Sequence, residues 1–227
     1  MERDRWSPWL GGAALAALAA GLYLGLAWAP PDALMGNVQR IMYVHFPSWL
    51  ATGLGYGIAF VCSLLYLARR EPRWDWWAHA GVEVGVVFNV TGLVTGSIWG
   101  RPTWGVWWTW DPRLTTTAIL LMIFGGYLVV RAFLDDPETR ARVAALVAVV
   151  GFVDVPIVYF SVRWWRTLHQ PQSSPETVDP EMVLALRAMF VAFALLFFFL
   201  WRQRVRLARL QWEIERRALD VTEAVRG

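Results

Sequence analysis

A chain of 227 residues is long enough for one soluble domain, but 57% of it is apolar, only 17% is charged, and the formal net charge is +3. That balance excludes an ordinary soluble domain and fits a polytopic membrane protein whose first partner is the lipid bilayer, with no nucleic acid expected. The single cysteine, Cys62, excludes an internal disulfide, a cysteine zinc site and a Cys-x-x-Cys-His attachment site for c-type heme.

Six apolar segments follow in order: Trp9–Trp28, Phe46–Ala68, Ala78–Ile98, Leu114–Val130, Val143–Val162 and Met182–Trp201. Each runs for roughly 17–23 residues, the length a helix needs to cross a hydrocarbon core of about 30 Å. Only helices satisfy the backbone of an open chain in lipid, so the expected fold is all-α with six transmembrane helices. The first segment has no small-residue cleavage site and reads as a retained helix. Residues 1–202 are expected to form the transmembrane domain, and 203–227 a helical tail. In that tail Leu207, Leu210, Ile214 and Val221 recur at helical spacing, which predicts an amphipathic helix.

Orientation is read from arginine, because the chain has no lysine. Arg3 and Arg5, then Arg69, Arg70 and Arg73, then Arg131, Arg140 and Arg142, and finally the tail fall on one set of flanks. The other set carries Arg40, Arg101, Arg113, Arg163, Arg166 and Arg187. The positive-inside rule places both termini in the cytoplasm and turns the loops after helices one, three and five outward. His45, the tryptophan-rich run WGRPTWGVWWTWDPR (Trp99 to Arg113) and His169 then share the outer face, while His79 belongs to the cytoplasmic side.

Within the spans, Glu83 and Asp154 are the costly groups. Glu83 lies about a turn from the cytoplasmic end, within reach of headgroups. Pro156 follows Asp154 and predicts a locally opened, polar stretch, with interhelical hydrogen bonding as its plainest use. Gly53, Gly55 and Gly57, with Gly92 and Gly96, are read as sites of close helix contact.

The outer face limits the chemistry. A bare zinc ion wants three or four protein ligands, and no metal spacing joins the outward histidines to the outward acids. Heme brings four nitrogens of its own, so two axial side chains suffice. His45 and His169 supply a pair, the indoles a surface for the porphyrin, and Arg40, Arg101, Arg113, Arg163 and Arg166 are candidates for the propionates. Tryptophan at a membrane interface also serves simply as an anchoring belt, and His45 also falls in helical register with Val38 and Ile41. Asp111 reads either as a cap for the fourth helix or as a carboxylate holding indole N–H groups.

The segment Trp104-Gly105-Val106-Trp107-Trp108-Thr109-Trp110-Asp111 resembles the WGxxWxWD (WWD) signature of heme-handling membrane proteins in cytochrome c maturation. With QRIMYVHFP before the second helix and VPIVYFSVRWWRTLHQP after the fifth, the likeness is to the heme exporter protein C (CcmC) family. The resemblance implies heme b (iron protoporphyrin IX) as cofactor, with His45 and His169 as axial ligands and Trp104, Trp107, Trp108, Trp110, Asp111 and Arg113 around it. It implies a non-ATPase subunit of the bacterial inner membrane, not an enzyme, that delivers heme to the chaperone CcmE. Its implied partners are the ABC-type subunits CcmA and CcmB and the small protein CcmD. The chain has no P-loop, in keeping with ATP hydrolysis residing in CcmA. Pro112, Asp154 and Arg163 depart from the family pattern. Two other readings remain open: a heme-translocating permease using Glu83, Asn89 and Asp154, and a quinone-linked cytochrome b, disfavoured because no histidine lies mid-membrane.

Overall fold

Proline and aspartate punctuate the helices where their chemistry demands. The computed structural model describes residues 6–169 and 178–226, with side chains to residue 218. Helices α1 (Ser7–Tyr23), α3 (Pro72–Trp104), α4 (Pro112–Phe133), α5 (Pro137–Gly151) and α7 (Pro180–Arg226) each carry proline at or next to their first residue. Proline has no N–H to leave unpaired there, and its fixed φ suits the first turn. Asp111 and Asp136 cap α4 and α5 by accepting from Arg113 N and Thr139 N. Helices α2 (Met42–Arg69) and α6 (Asp154–Trp164) complete the set.

Among the described residues, six helical stretches are long and apolar enough to cross a membrane: Ser7–Trp28, Asn37–Arg69, Pro72–Trp104, Pro112–Phe133, Pro137–Trp164 and Pro180–Ala218. They coincide with the six segments expected from sequence. The fifth is broken, as Pro156 predicts: α5 ends at Gly151, α6 starts at Asp154, and one buried carboxylate oxygen of Asp154 has no hydrogen-bond partner. The helix of the sixth span continues without interruption into the tail. Leu207, Leu210 and Ile214 are exposed along it; Val221, like Arg3 and Arg5, lies outside the described side chains.

Helices α2 and α3 form the central antiparallel pair. α1 and α7 pack along one side of it, and α4 with α5 and α6 along the other. Small residues make the central contact. A Cβ added at Gly55 would lie 2.5 Å from the Gly81 carbonyl oxygen and 2.8 Å from Gly85 Cα, so these two backbones touch. Gly53 and Gly57 face open space and serve no such contact, a correction to the sequence reading. The interior holds Ala51, Ala59, Ala80, Ala144 and Ala148 with buried Ser48, Thr52, Ser63 and Asn89. Val87, Met122, Val150 and Val191 face outward. That distribution suits lipid, which rewards apolar surface outside and close-packed small residues within.

His79 begins the opposite end of the bundle from His45. There Glu83 accepts from the Arg204 guanidinium and lies 3.7 Å from His79 Nε2. Asp75 accepts a bidentate pair from Arg131 at 2.5 and 2.9 Å. Glu83 is therefore a tie between α3 and α7, not a group reaching for headgroups.

A candidate heme cavity

Gly105 divides the tryptophan-rich run. It adopts φ +81°, which a side chain rarely tolerates, and ends α3 one residue after Trp104. Trp99 and Trp104 are consequently helical, and only the part of the run from Gly105 to Asp111 lies between helices. Residues 105–111 fold back on α3: Ser97 Oγ donates to the Trp107 carbonyl at 2.6 Å, and Arg101 to the Gly105 carbonyl at 2.5 Å.

Beside this turn lies a cavity of about 360 Å³ lined by His45, Trp49, Trp99, Trp104, Arg113 and His169, with Phe46, Met35, Thr103, Thr117 and Phe190 among the others. The side chains of functional interest come from four separated stretches of chain. His45 comes from the first turn of α2, the indoles Trp99 and Trp104 from the end of α3, Arg113 from the start of α4, and His169 from the segment after α6.

His45 is buried, with 8% of its surface exposed. Its Nδ1 lies 3.1 Å from Thr95 Oγ1, and Trp49 Nε1–H donates to its Nε2 at 3.1 Å. Trp99 meets the ring edge-on at 5.8 Å. Gly92 and Gly96, read from sequence as helix-contact positions, instead make room for rings. A Cβ at Gly96 would lie 2.9 Å from His45 Cε1, and one at Gly92 2.7 Å from the Trp49 ring.

Asp111 organises the other wall. One oxygen accepts from Arg113 N at 2.9 Å and so caps α4; the other accepts from Leu168 N at 2.7 Å. The cap reading and a loop-shaping role both hold, but the groups held are main-chain amides rather than indoles. Burial alone would raise this carboxyl, yet the Thr167 hydroxyl and the amides of Leu168 and Arg113 outweigh it and hold Asp111 below the usual carboxylate range. His169 Nδ1 is 3.7 Å from Asp111 Oδ1, too far for a hydrogen bond, and is buried without a partner. Burial, helped by the Arg113 charge, pulls the His169 imidazole down to about 4. It is neutral at neutral pH and has a lone pair to offer. Trp104 packs edge-on against it at 4.9 Å.

Asp111→Ala is expected to cost about 1–3 kcal/mol, because it removes a cap and orphans the Leu168 amide. Asp111→Asn retains one acceptor and should fall between the two. Thermal unfolding of the detergent-solubilised chain measures both.

Of the arginines proposed for propionates, Arg113 lines the cavity. Arg40 is instead consumed by structure. It donates to the carbonyls of Gly25 and Ala29 at 2.6 and 3.1 Å, where a π-helical turn (Leu24–Trp28) ends the first span. Arg101 serves the Gly105 carbonyl, and Arg163 lies over the rings of Tyr159 and Phe160; Arg166 is exposed and does not line the cavity. Trp107, Trp108 and Trp110 do not line it either. Trp107 is 59% and Trp110 80% exposed, and Trp108 meets Trp110 edge-on at 5.8 Å. Sequence reasoning passed over Trp49, whose signal was its position one helical turn after His45. Glu83, Asn89 and Asp154, the landmarks of a translocation path, do not line the cavity. Asn89 is buried and donates to Tyr56 Oη at 3.1 Å.

Among the described residues, no group of three or more His, Cys, Asp or Glu could hold a metal ion by itself. The donor set does fit a metalloporphyrin, which needs no more than two axial nitrogens from the protein. Two imidazoles, one of them with a buried and unpartnered nitrogen beside a carboxylate, share the cavity with three indoles and a cation.

Comparison with known proteins gives a consistent result. A family model described as "Heme exporter protein C" matches residues 2–220. The protein of that name from Bradyrhizobium diazoefficiens is 40% identical over 215 residues, covering 92% of this chain and 79% of the relative. Its Escherichia coli K12 counterpart is 36% identical over 200 residues, covering 88% and 82%. The Haemophilus influenzae protein is 34% identical over 194 residues, covering 85% and 79%.

Proposed function

Because this chain belongs to the heme exporter protein C family, a set of multi-pass membrane proteins, we propose that it handles heme for cytochrome c maturation. In this reading it holds heme b in the cavity and delivers it to the chaperone CcmE, with CcmA, CcmB and CcmD as partners. The observation that carries the reading is the convergence of His45 and His169 on one cavity with Arg113 and the indoles of Trp49, Trp99 and Trp104.

His45 and His169 are the proposed axial ligands. Asp111 orients His169 by fixing the adjacent Leu168 amide and by placing a carboxylate near Nδ1, an arrangement that raises the basicity of a ligating imidazole. Arg113 offers a propionate a charge-assisted hydrogen bond. Trp104 lines the cavity and would offer the porphyrin an indole surface, while Trp107, Trp108 and Trp110 stand outside it and would be open to the acceptor. When bound, heme supplies the vinyl and iron chemistry; the protein places it and keeps it open on one side. The cavity volume, about 360 Å³, lies at the low end of the usual range for ligand pockets, roughly 300–1,000 Å³. Holding is favoured over translocation because Glu83 and Asn89 are engaged in contacts elsewhere in the bundle.

The unit that carries this function is residues 1–202, with 203–227 as a tail. In the same reading the arginine distribution supports cytoplasmic termini, with the cavity on the periplasmic face of the inner membrane.

Two measurements test the reading. First, the full chain purified with heme is compared with His45→Ala. The expected result is loss of the low-spin Soret band and of most of the bound heme; an unchanged band and heme content would exclude His45 as a ligand. Second, an impermeant maleimide is applied to intact spheroplasts. A cysteine introduced at the exposed Leu34 should react at once, and one at Arg209 only after permeabilisation. The native Cys62 is buried and adds little background. The reverse pattern would invert the topology.

A further inference from the structure

Both ring nitrogens of His45 are engaged within the protein. Nδ1 faces Thr95 Oγ1 at 3.1 Å, and Nε2 faces the Trp49 indole N–H at 3.1 Å. Thr95 decides the tautomer. Its hydroxyl has carbonyl acceptors at Thr91 (2.7 Å) and Gly92 (3.2 Å), which leaves its lone pairs for His45, and the Trp49 N–H, which can only donate, makes Nε2 the accepting nitrogen. Nδ1 therefore carries the imidazole proton, and Nε2 keeps the ring's available lone pair. That is the pair an iron would take, and Trp49 already occupies it. One lone pair cannot serve an indole N–H and an iron together.

The arrangement is built by both helices. Trp49 follows His45 by one turn on α2, and Gly96 follows Gly92 by one turn on α3. A side chain at Gly92 or Gly96 would drive the indole or the imidazole off its position. Trp49 also borders the cavity, so there is space beside the indole when it leaves Nε2.

We propose that Trp49 is a positioning residue that competes with heme iron for His45 Nε2, holding the imidazole ready in the empty protein and loosening its grip on the loaded heme. The inference rests on the reading of His45 as an iron ligand. A carrier that must surrender its cargo gains from such a competitor: leaving iron does not strand a bare nitrogen, because the indole takes its place.

The test uses the full chain in detergent, loaded with hemin, with apomyoglobin in excess as acceptor. Trp49→Phe keeps an aromatic ring and removes the N–H. It should slow heme transfer by about 3–10-fold, the equivalent of one net hydrogen bond, and raise the low-spin fraction of the Soret band. Thr95→Val removes the acceptor that sets the tautomer and should act in the opposite direction, speeding heme loss by about 10-fold or more. In a His45→Ala background the effect of Trp49→Phe should vanish.

Release from Trp49→Phe at the wild-type rate or faster, with wild-type helix content, overturns the proposal. An undiminished effect without His45 does the same, as does an unchanged rate in Thr95→Val, which stands even where Trp49→Phe does not fold. Wild-type release and spectrum in His45→Ala alone is a different outcome: it removes the ligand role itself, and this inference with it.

Discussion

Replacing His169 by alanine is expected to strip the protein of most of its heme and to shift the remaining Soret band towards a five-coordinate form. Loss of a group that merely orients a metal ligand typically costs about 10–100-fold in affinity, so loss of the ligand itself should cost more than ~100-fold. The fold should survive. His169 lies after the last turn of α6, in a segment hydrogen-bonded to the bundle through Leu168 N and Asp111, while its own ring adds only the edge-on contact with Trp104 and no hydrogen bond at Nδ1. Helix content and thermal midpoint in detergent are expected to stay near wild type while heme content falls. A second variant, His169→Gly, should regain a low-spin spectrum when imidazole is added, because the cavity then admits the free ring. Unchanged heme content and Soret band in His169→Ala would end the case for this ligand.

The second large effect is on assembly of the helix pair that carries His45. Gly55→Ala adds one methyl carbon between two backbones. Its Cβ would sit 2.5 Å from Gly81 O and 2.8 Å from Gly85 Cα. Neither is the end of a flexible side chain, so α2 and α3 must separate or slide. Overpacking of this kind costs about 3 kcal/mol or more when the backbone has to yield. Gly53→Ala is the control, because nothing lies within 4 Å of the added carbon. In a helix interior, alanine improves on glycine by up to about 1 kcal/mol, so that variant should match or exceed wild type. Thermal unfolding of the two in the same detergent decides the matter. Equal midpoints would mean that the two helices are not in backbone contact at Gly55.

What could be read directly from the residues was what physics writes locally. Span length and polarity are linear properties, and the six apolar segments became six membrane-length helices. Pro72, Pro112, Pro137 and Pro180 stand at helix starts for a reason internal to each residue. The break before Asp154 was foreseeable from Pro156 for the same kind of reason. The sharing of one end of the bundle by His45, the tryptophan run and His169 followed from counting spans.

Pairings across helices were not legible. Gly92 and Gly53 look alike in sequence; one faces an indole and the other faces nothing. Arg40 and Arg113 both read as free outward cations, yet Arg40 is spent on the carbonyls of Gly25 and Ala29, a need created by a π-turn with no sequence mark. Trp49 was hidden inside an apolar run, although its spacing from His45 was there to use. Glu83 found its partner Arg204 on α7, far along the chain.

The last helix has a mechanical consequence. Phe190, on the cavity wall, and Glu215, paired with Arg140 at 2.6 Å, belong to one uninterrupted rod. At 1.5 Å per residue they stand ~35–40 Å apart. If the rod tilts as one body, its tail end and the cavity wall move together.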